Sequence, residues 1–278
     1  MDVIEQHAAR LPAIDDRWDP RPFDRSELRE ALLAAAIAGP QVSHPLDNVL
    51  RHIELLFEGD PDKQFGMSGL AGALDPRAIL DLVGREAGFE PDHTATHGPV
   101  PVDPDHVLDR CEAVGDRLSF ACRRGESVVL ATGHPVGLAH LYTELGRELA
   151  HRGARPLRPA EGERWRDDGH HHWWQIRYLG HVAVLTDRAS ARHTHSGEPM
   201  RRMLADEVPD VVFADHGFAG AAIEHGVDTV SIADVNDPAL VLARAQGRAD
   251  VVIVMDDNVQ PDTYWPCFQA IVSRLPSR

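Results

Sequence analysis

Acidic and amide side chains cluster directly after two apolar runs in the last quarter of the chain. Asp256-Asp257-Asn258 follows the run at 251–255. Asp234 follows the preceding run in the same way. Carboxylate and amide oxygens are the ligands that hard divalent cations such as Mg²⁺ or Mn²⁺ prefer. The sequence therefore predicts a metal site with these ligands: Asp234, Asp256, Asp257 and Asn258.

Two further motifs combine a histidine with glycines just after an apolar run. Thr132-Gly133-His134-Pro135-Val136-Gly137 follows the run at 127–131, and Asp215-His216-Gly217 follows the run at 211–214. A carboxylate beside an imidazole suits acid–base catalysis, and helix N-terminal amides exposed by glycine can bind an anion. Helix starts shaped or capped by the same residues are the alternative interpretation.

These motifs lead to two predicted groups of residues besides the metal ligands. The predicted catalytic residues are His134, Asp215 and His216. The predicted phosphate-binding residues are Thr132, Gly133, Gly137, Gly217, Lys63 and Arg192. Lys63 is included because it is the single lysine among 28 basic residues.

Two other histidine groups leave their role open. His193 and His195 are two residues apart, so in an extended segment both point to the same side and could bind one metal ion. A polar surface loop explains the same residues equally well. His170-His171-His172 precedes two tryptophans and is interpreted as a solvated entry to a hairpin.

The elements that must position these residues alternate between strands and helices from Ser127 onward. Short runs of β-branched and aliphatic residues are typical of buried parallel strands, and the helix-like segments between them predict right-handed crossovers. The predicted strands are 127–131, 182–185, 211–214, 229–233 and 251–255. In an open α/β sheet a ligand binds beyond the carboxyl ends of the strands. The polar clusters should therefore meet at one edge of the sheet.

The whole chain is predicted to be an α/β protein. A helical N-terminal region at 1–123, with helices near 27–38, 46–57, 76–88 and 105–122, precedes a Rossmann-like layered domain at 124–278 with a mainly parallel sheet. The two parts are expected to form one compact unit. A polar segment at 161–169 is predicted to be a loop, and 172–178 and 181–185 are predicted to pair as adjacent strands.

Composition restricts the partners and the location. The net charge of −16 argues against nucleic acid, and it requires a cation or local arginines wherever a phosphate binds. No apolar run reaches the length of a membrane span, so no membrane partner is expected. The acidic start at 1–5 lacks the basic segment of a secretory signal. Three cysteines without metal-type spacing predict reduced thiols and a cytoplasmic protein, with the oligomeric state open.

Three motifs together resemble an actinobacterial family described as phosphatases. They are Ala131-Thr132-Gly133-His134-Pro135, Asp215-His216-Gly217-Phe218-Ala219-Gly220-Ala221 and Met255-Asp256-Asp257-Asn258. The resemblance covers most of the chain and is clearest at 127–268. It implies hydrolysis of a phosphoester, and it transfers no catalytic residues.

We therefore expect a metal-dependent phosphatase that acts on a small phosphorylated metabolite. Asp256 and Asp234, with Asn258 or Asp215, would hold the cation, which lowers the pKa of a bound water. Gly133 and the amides after it would bind the phosphoryl oxygens, and His134 or His216 would be the general acid or base. The alternatives are a non-catalytic module that binds a nucleotide or sugar phosphate, and a phosphoryl or glycosyl transferase on the same fold.

Overall fold

A computed structural model describes residues 15–166 and 173–277. The acidic segment at 1–5 and His170-His171-His172 lie outside the described residues. The helices are α1 Arg25–Ala34, α2 Leu46–Glu58, α3 Pro76–Ala87, α4 Pro104–Arg124, α5 Pro135–His151, α6 Glu198–Asp206, α7 His216–His225, α8 Pro238–Ala245 and α9 Trp265–Val272. Two 3-10 turns lie at Asp16–Trp18 and Pro261–Tyr264. The strands are β1 Ser127–Thr132, β2 Arg155–Pro156, β3 Arg164–Arg166, β4 Trp173–Leu179, β5 Val182–Asp187, β6 Ser190–Ala191, β7 Val211–Asp215, β8 Asp228–Ala233 and β9 Val251–Val254.

These strands form one mixed sheet in the order β3-β4-β5-β1-β7-β8-β9. Five neighbouring strands run parallel, namely β5, β1, β7, β8 and β9. β3 and β4 add an antiparallel edge beside β5. The short β2 and β6 pair with β1 and β5. The prediction of an α/β fold with a mainly parallel sheet is confirmed, and the polar segments after β1, β7, β8 and β9 lie at the same edge.

The central strands form because their side chains are apolar on both faces. Every residue of β1 and β7 is buried. Such strands need helices on both sides of the sheet, which the crossover connections supply. α7 is itself buried from His216 to Ile223. A Cβ on its Gly220 would lie 2.0 Å from the carbonyl oxygen of Phe65, so glycine lets the 60–70 loop lie directly on this helix.

The antiparallel edge differs from the sequence prediction in one segment. The polar segment at 161–169 was expected to be a loop, but β3 forms at Arg164–Arg166 and pairs with β4. The alternation of Arg164, Trp165 and Arg166 explains this, because an edge strand tolerates charged residues on its exposed side while Trp165 packs against the core. The predicted pairing of the two following segments is confirmed, with Leu179 opposite Val182.

The four predicted N-terminal helices are present, and their ends agree with the sequence to within a few residues. Buried apolar side chains from Trp18 to Leu275 belong to a single cluster, which includes α4 and the central strands. The division near residue 123 stays a prediction. Within the described ranges, no helix combines the length and apolarity that a bilayer crossing requires.

Candidate metal centre

A cavity of about 310 Å³ opens at the carboxyl edge of the parallel strands. Residues from β1, β7, β8 and β9 reach it through the segments that follow each strand, and α2 closes its far side. Its lining residues are His44, Asn48, His52, His134, His193, His195, His216, Asn236, Asp237, Asp257 and Asn258. Six of these eleven are histidines from four separate parts of the described chain, which is a composition typical of metal sites.

His216 is the residue that connects the two halves of this cavity. It is the first residue of α7 and has a left-handed backbone, with φ at +46°. Its Nδ1 lies 2.7 Å from Oδ1 of the buried Asp215. Its Nε2 lies 3.6 Å from Oδ2 of Asp237 and 3.8 Å from Oδ2 of Asp257. Burial alone would lower the pKa of His216, but Asp237, Asp215 and Asp257 together raise it to about 10.

His193 and His195 approach His216 from the opposite side. The Nε2 atoms of His193 and His195 lie 3.1 Å apart, and the His195 ring stacks on the His216 ring at 5.1 Å between centroids. The Nδ1 of His195 is 2.8 Å from Oδ2 of Asp62. Partial desolvation among the other histidines lowers the pKa of His193 to about 4, although the residue keeps contact with solvent. His193 is therefore neutral at pH 7 and can offer a nitrogen to a metal.

The ligand atoms form two groups that share His216. One group is His193, His195 and His216, and the other is His216, Asp237 and Asp257. Within each group the atoms lie within 4.8 Å of one another, close enough to bind one ion. In His216 and His195 the Nδ1 atoms contact a carboxylate while the Nε2 atoms face the cavity. This is how proteins orient histidines that ligate metals.

Comparison with known proteins assigns the chain to a family. The model of the family described as Phosphatase matches residues 23–277. The chain belongs to the Phosphatase family. A Streptomyces coelicolor protein of this kind, Phosphatase SCO2771, is 35% identical over 252 residues, which cover 88% of this chain and 94% of that protein. No solved structure gives a significant match. The resemblance predicted from the three motifs is confirmed, as is the broad expectation of a phosphatase.

The acidic residues predicted as ligands separate into two kinds in this member of the Phosphatase family. Asp257 and Asn258 line the cavity, whereas Asp256 and Asp234 do not. Oδ2 of Asp256 accepts a hydrogen bond from the Ser43 backbone amide at 2.6 Å, and its Oδ1 accepts one from the Ser43 hydroxyl. Oδ2 of Asp234 lies 2.9 Å from Nδ1 of His44. These two carboxylates attach the segment before α2 to the edge of the sheet.

Most of the backbone groups and glycines predicted to bind phosphate make contacts within the protein instead. The Gly133 amide donates to Oδ1 of Asp215 at 2.8 Å, and the His134 amide donates to the hydroxyl oxygen of Thr132. A Cβ on Gly137 would lie 2.7 Å from the carbonyl oxygen of Asp257, and one on Gly217 would lie 2.2 Å from that of His195. These glycines therefore allow the ligand-bearing segments to approach the helices closely.

The two predicted cationic phosphate ligands lie in different surroundings. The ammonium group of Lys63 is 3.1 Å from Oδ2 of Asp62, and the side chain is only 12% exposed. Since Asp62 also contacts His195, Lys63 belongs to the periphery of the centre. Arg192 pairs with Asp187, is 45% exposed and does not line the cavity.

Six cavity or supporting residues were not predicted as site residues. They are His44, Asn48, His52, Asp62, Asn236 and Asp237. From the sequence, Asn236 and Asp237 could complete the metal site of Asp234, but Asp237 before Pro238 also suits a helix cap. Asp237 does precede α8, but its side chain makes no capping hydrogen bond. Asn48 and His52 are four residues apart in α2 and so lie on one face of that helix. That spacing was the available signal, but nothing local indicates that this face meets the sheet edge.

Proposed function

We propose that the protein is a metal-dependent phosphatase that hydrolyses the monoester of a small phosphorylated metabolite. One observation supports this most directly, namely that His216 faces Asp237 and Asp257 on one side and His193 and His195 on the other. Family membership supplies the reaction class, and the donor set supplies the reason for a cation.

The charge balance of the cavity supports a bound cation. Asp215, Asp237 and Asp257 are each less than 5% exposed, and buried carboxylates are costly unless positive charge compensates them. Among the described residues, Oδ2 of Asp257 and Nδ1 of His134 have no hydrogen-bond partner. A bound cation would satisfy the Asp257 atom, whereas Nδ1 of His134 faces the other oxygen of that carboxylate at 3.4 Å. In its absence, the raised pKa of His216 places an imidazolium among the carboxylates.

The mixture of imidazole and carboxylate ligands bears on the choice of metal. Mg²⁺ prefers oxygen ligands, whereas Mn²⁺ and Zn²⁺ accept imidazole nitrogen as well. The sequence favoured Mg²⁺ or Mn²⁺ because it pointed to oxygen ligands alone. With three histidines in reach, we propose Mn²⁺ or Zn²⁺, held by His193, His195, His216, Asp237 and Asp257.

A bound divalent cation of this kind polarises the phosphoryl oxygen and lowers the pKa of a bound water. The protein's own groups orient the ligands and move protons. Asp215 holds His216, and Asp62 holds His195, each through the nitrogen that faces away from the cavity. Asn258 lines the cavity, and its side-chain amide can donate to a phosphoryl oxygen.

Two histidines that are not in the ligand groups are candidates for the proton donor to the leaving group. Nδ1 of His134 lies 3.4 Å from Oδ1 of Asp257; burial opposes its protonation, but Asp257 raises the pKa of His134 overall. The hydrogen bond to Asp234 raises the pKa of His44. Either imidazole can therefore carry a proton near neutral pH and release it during turnover.

The decisive experiment measures phosphate release by metal-stripped protein from a panel of phosphorylated metabolites, with Mg²⁺, Mn²⁺ or Zn²⁺ added. We expect release only with metal, and greater release with Mn²⁺ or Zn²⁺ than with Mg²⁺. Absence of release with every metal, from protein shown to be folded, would overturn the proposal in favour of a binding module or a transferase. Release that persists in a strong chelator would overturn the metal dependence alone.

A further inference from the structure

A second cavity, of about 550 Å³, lies on the antiparallel edge of the sheet. Trp173, Gln175 and Arg177 alternate along β4 and therefore share one face. Arg164 of β3 pairs with Gln175 in register, so it lies on the same face. Arg188 and Ala189, in the turn between β5 and β6, also line the cavity. The described lining residues are therefore Arg164, Trp173, Gln175, Arg177, Arg188 and Ala189.

Among the described residues that line this second cavity are three arginines and no carboxylate. Within the described part of the chain, the guanidinium groups of Arg164, Arg177 and Arg188 make no ion pair and no hydrogen bond. By contrast, the neighbouring Arg192 and Arg202 pair with carboxylates. In a chain with a net charge of −16, three free guanidinium groups around one cavity create a local field that attracts anions.

The backbone of Arg188 adopts a conformation that is unfavourable for arginine. Asp187 pairs with Ser190, so Arg188 and Ala189 form a two-residue turn. Arg188 has φ at +57°, a left-handed conformation that glycine and asparagine adopt far more readily than arginine. Strained residues of this kind cluster at ligand sites. Here the strain places a guanidinium at the tip of the turn, beside the other two.

The same turn connects this cavity to the metal centre. Only five peptide steps separate Arg188 from His193, so their Cα atoms are at most about 18 Å apart. Both lie toward the carboxyl end of β5, the edge at which the metal centre opens. The indole of Trp173, 49% exposed, adds an apolar wall to the cavity. A molecule with one anionic group at His216 and another at the arginines could contact both sites.

We propose that the cavity lined by Arg164, Arg177 and Arg188 binds a second anionic group, a phosphate or a carboxylate, of the substrate. Anion binding at this cavity does not depend on the proposed function, but the assignment of the anion to the substrate does. The substrate class is then a phosphomonoester that carries another anionic group at its far end. A free anion of the same chemistry is the alternative source of that group, and the experiment separates the two.

The binding test uses metal-stripped protein and tripolyphosphate as the probe, at low ionic strength. We expect each single change, Arg164→Ala, Arg177→Ala or Arg188→Ala, to weaken binding about three-fold, and the triple change about thirty-fold. The matched control replaces Arg77, Arg85 and Arg124, three exposed arginines that line neither cavity, with alanine. An equal loss in both triple variants, or no loss in either, would overturn the site. Thermal unfolding checks that all variants are folded.

The kinetic test compares two substrates in the presence of the activating metal. For a phosphomonoester with a second anionic group, the triple variant should raise KM about thirty-fold and leave kcat nearly unchanged. For a simple aryl phosphate, both constants should be unchanged. Weaker probe binding with an unchanged KM for both substrates would overturn the assignment to the substrate and leave a free anion as the ligand. A lack of turnover in the unmodified protein would contradict the proposed phosphatase, whereas the binding test does not depend on turnover.

Discussion

Asp215 and His216 are adjacent in the chain, and their side chains still meet, with Oδ1 and Nδ1 2.7 Å apart. His216 has a left-handed backbone at this position, with φ at +46°. The same carboxylate oxygen accepts the amide of Gly133 from the next strand. Asp215 therefore contacts both the ring of His216 and the segment that carries His134, and we propose that it acts as a positioning residue.

Replacement of Asp215 by asparagine tests this role. The amide keeps the size of the side chain but removes the charge that favours the Nδ1–H tautomer of His216. We expect metal affinity to fall about 10- to 100-fold, as is usual when a carboxylate behind a ligating histidine is lost. Isothermal titration with Mn²⁺ or Zn²⁺ measures it. Asp62→Asn, behind His195, should have a smaller effect because Asp62 is 58% exposed; equal effects would contradict this explanation.

The adjacent residues Asp256 and Asp257 form a matched pair for mutation. Asp257 faces the cavity, so Asp257→Asn should lower turnover at least about 100-fold and weaken metal binding. Asp256 instead accepts two hydrogen bonds from Ser43, so Asp256→Asn should lower the free energy of unfolding by about 1–3 kcal/mol and retain metal binding. Metal stoichiometry and denaturant unfolding distinguish the two. The reverse pattern would return Asp256 to the ligand set first predicted from the sequence.

The fold was predictable because its signals are local. Apolar runs such as Val251–Val254 indicate a buried strand by themselves, and the polar residues after each run then fall on one edge by the geometry of parallel sheets. The missed strand β3 lacks that signal, since a three-residue edge strand needs few apolar residues. The family resemblance likewise depended on contiguous motifs.

The site was less predictable because its partners are distant in sequence. The motif at 256–258 lies at the cavity, which Asp257 and Asn258 line. Asp256 instead contacts Ser43, which is 213 residues away in the chain. Asp237 before Pro238 has the same local pattern whether it caps a helix or faces His216. Local sequence cannot separate those cases, since both place a carboxylate at the start of a helix.

Gly217 tests whether close packing, rather than phosphate binding, explains its position. A methyl group there would lie 2.2 Å from the carbonyl oxygen of His195 and would push the His193–His195 segment outward. We expect Gly217→Ala to cost about 1–3 kcal/mol of unfolding free energy and to weaken metal binding as well. Gly146→Ala is the control, because the added methyl group would crowd His181, which does not line the cavity. It should lower stability and leave metal affinity intact; a parallel loss of affinity would mean that Gly217 acts only through stability.

The pH dependence of metal binding follows from His216. Its pKa of about 10 in the metal-free protein lies above pH 7, so Nε2 is protonated there and must lose its proton to bind a metal. His193, with a pKa of about 4, is already neutral and releases none. We therefore expect about one proton to be released per bound ion at pH 7–8, and affinity to rise with pH up to about 10. Titration calorimetry in buffers of different ionisation enthalpy counts the proton. Binding without proton release would exclude His216 as a ligand.

The proton donor can be assigned by comparing His134→Gln with His44→Gln on substrates that differ only in their leaving group. An alkyl phosphate leaves as a strong base and needs protonation, whereas a nitrophenyl phosphate leaves without it. Loss of the donor should therefore slow the alkyl substrate about 10²- to 10⁴-fold and the nitrophenyl substrate much less. We expect this selective loss for His134, because its Nδ1 faces Asp257 within the proposed ligand set, whereas His44 contacts Asp234 outside it. A selective loss in His44→Gln would move the donor to the segment before α2. An equal loss on both substrates in His134→Gln would indicate that His134 binds the metal or positions Asp257 instead.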